Sequence, residues 1–255
     1  RPPDPLTMND HPALPRITTP AIRDSAYEIL REKIMQKEFG PGQRLGLEAI
    51  ERQLGISRTP LREALHRLAS ERLVEIVPRS GTFVTVLSSE DIAESYEVRR
   101  AIELYAIERA APQATDQQLA ECRTQLRELA SLGAAHDVVA TYPRYLSADY
   151  ELHRRIVALA NNQRLSRAYE RENVHTQLAR VHYRRIMRDL DVTQHEHEDI
   201  LAALERRDAA AARAAMDAHL VRAKEAILAD IGLNIDHTRA ARTRALGPPA
   251  ATSRE

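Results

Sequence analysis

The chain is poor in the residue types that stabilise secreted proteins or span membranes. Its 255 residues include a single cysteine, Cys122, no tryptophan and only 4% aromatic residues. One cysteine excludes an intramolecular disulfide, so we expect Cys122 to be a small apolar core residue in a reducing compartment. No run approaches the ~18 consecutive apolar residues of a membrane span, and the N-terminal residues lack the basic-then-apolar order of a signal peptide. We therefore expect a cytoplasmic protein that does not enter a membrane.

The sequence also lacks an excess of charge of either sign. It holds 37 Lys and Arg residues against 37 Asp and Glu residues, so the formal net charge is zero. Residues 18–88 hold 11 basic and 9 acidic residues, whereas residues 89–235 hold 20 basic and 24 acidic ones. This distribution gives only a weak electrostatic bias toward DNA. Any binding of DNA phosphates is expected to be local to the first of these segments.

The residues that are abundant favour helices. Ala, Leu, Glu and Arg dominate, and the chain is long enough for two domains that each bury a core. We expect a mostly α protein with a first domain over residues 18–88 and an all-helical domain over residues 89–233. Residues 1–17, which hold five prolines, and residues 234–255 are expected to be a disordered arm and tail.

The region 41–84 carries the pattern of a helix-turn-helix. Ser57 can cap a helix in which Pro60 lies in the first turn, where a missing N–H costs nothing. A short amphipathic helix precedes it, and Gly55 lies where a left-handed residue would end that helix. After the second helix, two β-rich runs flank Pro78-Arg79-Ser80-Gly81, which predicts a β-hairpin with a basic tip. The sequence therefore predicts a winged helix-turn-helix with the hairpin as its wing.

Five residues of this unit are candidate DNA contacts. Arg58, Thr59 and Arg62 occupy the start of the second helix, the part that enters the major groove in helix-turn-helix proteins. Arg79 and Gly81 lie at the tip of the wing. The helix alone would also be consistent with an ordinary surface helix whose arginines are solvated, but the basic hairpin that follows favours DNA binding.

These residues resemble the GntR family of bacterial winged-helix repressors, whose pattern is close to SR-x-P-[VL]-REAL followed by R-x-G-x-x-V. The chain has Ser57-Arg58-Thr59-Pro60-Leu61-Arg62-Glu63-Ala64-Leu65 and then Arg79-Ser80-Gly81-Thr82-Phe83-Val84. The resemblance implies that Arg58, Thr59 and Arg62 contact the groove and the phosphates. It also implies that Gly81 lets the wing tip approach the minor groove.

The second domain is predicted to be a bundle of six or seven helices. Capping-box pairs mark the N-termini of three of them, namely Ser88 with Asp91, Thr115 with Gln118, and Thr193 with Glu196. The predicted helices lie near 89–111, 115–133, 136–142, 144–160, 163–188, 193–206 and 208–231.

Within this bundle, one carboxylate and three imidazoles form a candidate metal site. Asp149 and His153 are four residues apart and project from one face of a single helix. His197 lies on the predicted helix 193–206 and His219 on the next one, 208–231, so the two imidazoles come to the same level if those helices are antiparallel. Such a set suits Zn²⁺, Ni²⁺, Mn²⁺ or Fe²⁺. From spacing alone, a solvated helix face or a hydrogen-bonded Asp–His pair remains an alternative.

The same half of the chain resembles the FCD effector domain of one GntR subfamily. The family pattern D-x-x-x-H-x8-N-x-x-L, EH-x-x-I and D-x10-H is matched by Asp149 to His153 with Asn162 and Leu165, by Glu196 to Ile200, and by Asp208 to His219. The resemblance implies that Asp149, His153, His197 and His219 bind a divalent metal ion. It also implies that Arg99, in an R-x3-E pattern with Glu103, anchors a carboxylate effector. The alternative for Arg99 is an intrahelical pair with Glu103.

Together these features predict a transcription regulator, with a repressor expected, that binds a palindromic DNA operator as a homodimer. A small organic acid at the metal-containing bundle is the expected effector. Two alternatives remain open: a regulator for which the metal itself is the signal, and a metalloenzyme. We do not expect an enzyme, because no obvious general base lies outside the ligand set and a DNA-binding module would be unexplained.

Overall fold

The structure is a computed structural model that describes residues 20–182 and 189–246. In these residues the chain forms nine helices and three short strands, a mostly α fold as expected. The elements are α1 (Pro20–Met35), β1 (Arg44–Leu45), α2 (Leu47–Leu54), α3 (Arg58–Ser70), β2 (Val74–Val77), β3 (Gly81–Val84), α4 (Ser89–Ala110), α5 (Asp116–Gly133), α6 (Val138–Ala158), α7 (Gln163–His182), α8 (Leu190–Glu205) and α9 (Ala209–Leu246).

Helices α2 and α3 form the predicted helix-turn-helix. Gly55 follows α2 with φ +64°, so it ends that helix in the left-handed conformation that glycine adopts without strain. Ser57 is the N-cap of α3 with an extended backbone, and Pro60 lies in the first turn. The Ser57 hydroxyl makes no capping hydrogen bond within the described chain, contrary to the expectation. The buried stripe of α3 consists of Pro60, Leu61, Ala64, Leu65 and Leu68.

The wing contains one strand that the sequence did not predict. β2 and β3 pair antiparallel, with Val74 opposite Val84 and Val77 opposite Gly81. The additional strand β1 pairs with the other side of β3, so the strand order is β1-β3-β2. β1 is only two residues long, which is too short for a recognisable alternation pattern, and it forms only because β3 offers an edge.

Helix α1 packs within the winged domain and touches the bundle. It packs mainly on α3 and also contacts α7. The Tyr27 hydroxyl donates a 2.6 Å hydrogen bond to Glu71, and the Arg67 guanidinium lies 3.6 Å from the centroid of the Tyr27 ring. Burial and the Glu71 carboxylate raise the pKa of Tyr27 to about 12. The hydroxyl of Tyr27, a neutral phenol, therefore joins α1 to the C-terminal end of α3.

Helices α4 to α9 form the second domain, a six-helix bundle in the described residues. α4 is central, since it packs on α9, α7 and α6, while α5 packs on α6 and α8. The capping boxes predicted for Ser88 and Thr115 are both present. Cys122 is buried as expected, and burial raises the pKa of its thiol to about 11.

Two boundaries inside the bundle differ from the prediction. The helices expected near 136–142 and 144–160 are one helix, α6, because Pro143 falls early in it and removes a single hydrogen bond to the preceding turn. α8 begins at Leu190 rather than at Thr193, so Thr193 does not cap it. Instead, the Thr193 hydroxyl donates to the Asp189 carbonyl and accepts a 2.8 Å bond from Arg222.

The last helix continues to Leu246, well past the expected end near residue 231. Part of the predicted tail is therefore helical. The predicted arm, residues 1–17, and residues 247–255 lie outside the described residues, and the division at residues 88 and 89 stays a prediction. No described helix is long and apolar enough to cross a membrane.

Candidate functional site

The start of helix α3 forms one wall of a basic groove. Arg58, Arg62 and His66 are spaced four residues apart and are exposed along one face of the helix. Together with Arg44 of β1 and Arg52 of α2 they line a groove of about 860 Å³ between the helix-turn-helix and the sheet. A concave basic surface beside an exposed helix start is the geometry that accepts a DNA backbone.

Two of the predicted DNA contacts, Arg58 and Thr59, differ in their surroundings. Arg58 is 65% exposed at its side chain and its Nε lies 3.2 Å from a carboxylate oxygen of Glu51 on α2. Thr59 is exposed but lies on another side of the helix, where it lines a shallow pocket with Ile22 and Glu63. The structure therefore brings Arg58 and Arg62 together and does not bring Thr59 into the same groove.

The turn of the wing has two residues with positive φ. Arg79 is exposed with φ +63°, and Gly81 has φ +127°. A Cβ atom built on Gly81 would lie 2.8 Å from Nε of Arg44. The side chain of Arg44 thus lies against the Gly81 backbone, a contact that the sequence did not reveal.

The second candidate site is a cluster of imidazoles in the centre of the bundle. His153 on α6, His197 on α8 and His219 on α9 are each 1–3% exposed. One ring nitrogen from each lies within 4.8 Å of the others, and the Nε2 atoms of His153 and His197 are 3.2 Å apart. Asp149, one turn before His153, has an oxygen 3.7 Å from Nε2 of His197. The four residues predicted as metal ligands therefore converge.

Two glutamates orient two of these imidazoles. Nδ1 of His153 lies 2.5 Å from Glu103, and Nδ1 of His219 lies 2.8 Å from Glu196. Since a carboxylate accepts a hydrogen bond, Nδ1 is the donor in each pair, and a neutral ring held in this way presents the lone pair of Nε2. This tautomer leaves the Nε2 atoms free to bind a metal, an arrangement common among histidine ligands.

Asp149 is ionised although it is buried. Burial alone would raise the pKa of Asp149. The guanidinium of Arg180 on α7 donates a hydrogen bond to this carboxylate. Arg180, His153 and His197 together hold the pKa of Asp149 well below its usual range. Burial and the neighbouring His219 lower the pKa of His197 far below the ordinary value. A neutral imidazole and an ionised carboxylate are the forms in which these groups bind metals.

Arg99, the predicted effector anchor, is 2% exposed. Its Nε donates a 2.7 Å hydrogen bond to Glu103, so the intrahelical pair considered from the sequence exists and is buried. Burial works against the charge of Glu103, but Arg99 and His153 lower its pKa to about 2. The carboxylate of Glu103 therefore connects Arg99 to a candidate metal ligand.

Several buried polar atoms in the bundle have no hydrogen-bond partner among the described residues. Asp149 Oδ1, His197 Nδ1 and Arg180 Nε belong to the side chains just described. The others include the hydroxyls of Tyr96, Tyr145 and Tyr169. Because an unpaired buried polar atom costs free energy, such a set is typical of a site that takes up an ion or a polar ligand. Of these atoms, the Asp149 oxygen fits a metal ion, whereas the N–H of Arg180 fits an anion.

The match to known families agrees with this geometry. Residues 22–84 match "Bacterial regulatory proteins, gntR family", and residues 94–222, about half of the chain, match "FCD domain". The chain belongs to the GntR family. Like other GntR proteins, it is a DNA-binding transcription regulator and not an enzyme. Some FCD domains of this family bind metal.

Relatives of this GntR protein include two curated regulators. The HTH-type transcriptional repressor RspR of Escherichia coli is 27% identical over 216 residues, which cover 82% of this chain and 90% of the relative. The Nta operon transcriptional regulator of Aminobacter aminovorans is 36% identical over 127 residues, and the match spans 58% of its length. A putative GntR regulator of a Rhodococcus species has a TM-score of 0.71 at 26% identity, with 82% of this chain and 98% of that one covered.

Sequence reasoning missed the partners of the candidate ligands in this GntR protein. Glu196 directly precedes His197, and Arg222 follows His219 by one helical turn, so both had a local signal. Arg222 donates two hydrogen bonds to Glu196. Arg180 had no local sequence signal, because it donates to Asp149 from a different helix.

Proposed function

We propose that this GntR regulator is a repressor that binds a palindromic operator as a homodimer and responds to a small organic acid. The acid binds beside a divalent metal ion in the bundle. One observation carries the proposal: three buried imidazoles and an ionised carboxylate converge where several polar atoms lack partners. The repressor assignment draws support from RspR, a relative whose name states that role.

The DNA contacts follow from the basic groove. Arg58 and Arg62 would enter the major groove with α3, where an arginine can bind guanine bidentately. Thr59, on the neighbouring face of the helix, would contact a flanking phosphate or base. Arg79 and Gly81 would bring the wing to the adjacent minor groove. Two copies side by side give the recognition helices the spacing of a palindromic site, which compensates for the weak basic excess of one copy.

Asp149, His153, His197 and His219 would hold the metal ion. Its chemistry is to attract a carboxylate as a Lewis acid. Glu103 and Glu196 keep two of the imidazoles in the binding tautomer. Zn²⁺, Ni²⁺, Mn²⁺ and Fe²⁺ all match this mixed imidazole and carboxylate set.

The balance of buried charge explains why an acid is the proposed ligand. Three guanidiniums donate hydrogen bonds to three carboxylates in this region: Arg99 to Glu103, Arg180 to Asp149, and Arg222 to Glu196. With neutral imidazoles these charges cancel. A divalent cation adds two positive charges to a buried site, and an anionic ligand offsets them. The unpaired Nε of Arg180 and the guanidinium of Arg99 are the proposed anchors for its carboxylate.

Helix α4 connects the two sites. It begins at Ser89, soon after β3 ends at Val84, and it carries both Arg99 and Glu103 into the bundle. A ligand that draws Arg99 or Glu103 toward it would shift α4 and with it the winged domain. Such a ligand changes DNA binding only if it has different affinities for the two arrangements of the dimer.

The proposal is tested on the purified full chain. We expect stoichiometric metal by mass spectrometry after a soak in Zn²⁺ or Ni²⁺, and a thermal shift with some members of a small organic-acid panel on the metal-loaded protein. An acid that shifts the melting temperature should also change the affinity for DNA. Absence of bound metal would overturn the metal site. A change in DNA affinity on chelation alone, with no response to any acid, would establish the metal itself as the signal.

A further inference from the structure

The unpredicted strand β1 places an arginine inside the basic groove. In the two-residue strand, Leu45 is 3% exposed and packs into the core, while Arg44 points outward and is exposed. Arg44 is paired in register with Phe83 of β3, so it lies at the base of the wing. This position follows from strand alternation and does not depend on a side-chain partner.

Gly81 leaves room for the Arg44 guanidinium. A Cβ on Gly81 would lie 2.8 Å from Nε, 3.4 Å from Nη2 and 3.6 Å from Cζ of Arg44. Contact with three atoms of the guanidinium means that this group lies across the face of the glycine. Any other residue would both displace Arg44 and adopt the unfavourable φ of +127°. Gly81 therefore has a second role besides letting the wing approach DNA.

Within residues 20–182 and 189–246, the Arg44 side chain also has no competing anion. Among the residues that the structure describes, no carboxylate lies within ion-pair distance of it, whereas Arg58 in the same groove is paired with Glu51. The groove lining contains four arginines and only two glutamates, which leaves an excess of two positive charges. An exposed, unpaired guanidinium in such a groove is available to a phosphate.

We propose that Arg44 is a further DNA-contacting residue, which binds a backbone phosphate between α3 and the wing from the space that Gly81 leaves open. The proposal rests on the DNA-binding face proposed above. A phosphate contact supplies affinity without reading sequence. Arg44 thus positions the protein on DNA, while base selection is left to α3.

The test is an equilibrium anisotropy titration of the full chain at several salt concentrations between 50 and 200 mM. The probes are a duplex selected by the wild-type protein from a randomised pool and a duplex of scrambled sequence. We expect Arg44→Ala to weaken binding to both duplexes by the same factor, roughly tenfold. The slope of log K against log salt should fall by about 0.9. Arg44→Lys keeps the charge and should keep most of the slope.

The control is Arg109→Ala, which removes an equal charge from an exposed position on α4. Circular dichroism confirms that each variant is folded. If Arg44→Ala weakens binding no more than Arg109→Ala does, Arg44 is not a contact. If it weakens only the selected duplex, the residue reads a base and the phosphate assignment is wrong. Failure of the wild-type protein to bind either duplex would instead overturn the proposed DNA-binding face as a whole.

A double-mutant cycle tests the role given to Gly81. Gly81→Ala should weaken DNA binding in the wild-type background, because the new methyl group displaces the Arg44 guanidinium. In the Arg44→Ala background the same substitution should weaken DNA binding less, because only the approach of the wing to DNA is then disturbed. Equal effects in the two backgrounds would show that Gly81 acts independently of Arg44. Thermal melts of all four proteins measure how much stability is lost when alanine adopts the positive φ of residue 81. This loss is thereby distinguished from the change in DNA affinity.

Discussion

The winged domain and the helical bundle use arginine in opposite ways. In the winged domain Arg44, Arg58 and Arg62 are exposed along a groove. In the bundle, Arg99 and Arg180 are 2% and 6% exposed, and each is hydrogen-bonded to a carboxylate. The same side chain is therefore exposed to solvent in one region and hydrogen-bonded to a buried carboxylate in the other.

This difference determines how each region responds to mutation. An exposed guanidinium contributes little to stability, so its loss should be felt only when DNA is present. A buried guanidinium has lost its hydration and depends on its partner, so removal of that partner leaves an uncompensated charge in the interior. We expect substitutions in the bundle to change the free energy of unfolding and substitutions in the groove to change the affinity for DNA.

The largest effect is expected for Glu103→Ala. The substitution leaves Arg99 buried without its carboxylate, and the free energy of unfolding should fall by ~3–5 kcal/mol. Asp217→Ala is the control, because it breaks an ion pair with Arg100 that is more than a third exposed and should cost at most ~1 kcal/mol. Urea denaturation of both variants measures the difference. Equal losses would show that burial of the pair has no special cost.

The next effect concerns the metal. Zn²⁺ at ~100 times its dissociation constant should stabilise the wild-type protein by ~2.7 kcal/mol. His219→Ala removes one ligand and should abolish that gain, while His195→Ala, an exposed residue on the same bundle, should keep it. Helical content should remain nearly unchanged in both, because the apolar core supplies most of the stability. A His219→Ala protein that Zn²⁺ stabilises as well as the wild type would contradict the ligand assignment.

The features that the sequence predicted correctly are mostly local. The left-handed end of α2 at Gly55 and the capping box at Ser88 depend on residues within one turn of each other. The β2–β3 hairpin likewise depends on its own turn. For the convergence of His153, His197 and His219, spacing left alternatives open, and the family resemblance was needed to choose among them.

What the sequence could not reveal are contacts between distant segments. Arg180 reaches Asp149 from another helix, and no pattern near Arg180 marks it as buried. β1 exists only because the edge of β3 is available, so the place of Arg44 beside Gly81 was invisible. The helix α6 continues through Pro143 because this proline lies in its first two turns. A proline favours a helix break locally, so the sequence indicated two helices rather than one.

Among the exposed arginines of the groove, Arg62→Ala should weaken binding to the selected duplex by ~1–3 kcal/mol if Arg62 reads a base. The loss should be smaller for a scrambled duplex, which distinguishes this residue from a phosphate contact. The free energy of unfolding should stay within about 0.5 kcal/mol of the wild-type value, since Arg62 is exposed. Unchanged affinity for the selected duplex would remove Arg62 from the DNA-binding face.

The smallest effect is expected for Glu51→Gln, which removes the carboxylate that is paired with the groove residue Arg58. Glu51 lies 3.2 Å from Arg58, so in the free protein its carboxylate competes with DNA for that guanidinium. Glutamine removes the charge and keeps the shape, and binding to both duplexes should tighten by less than ~1 kcal/mol, most clearly at low salt.

The control for this change is Glu128→Gln, which removes an equal charge from an exposed position on α5 and should leave DNA binding unaltered. If Glu51→Gln instead weakens binding to the selected duplex, the carboxylate orients Arg58 for DNA rather than competing for it. In that case Arg58 would resemble the arginines of the bundle, because its function would depend on an internal partner despite its exposure.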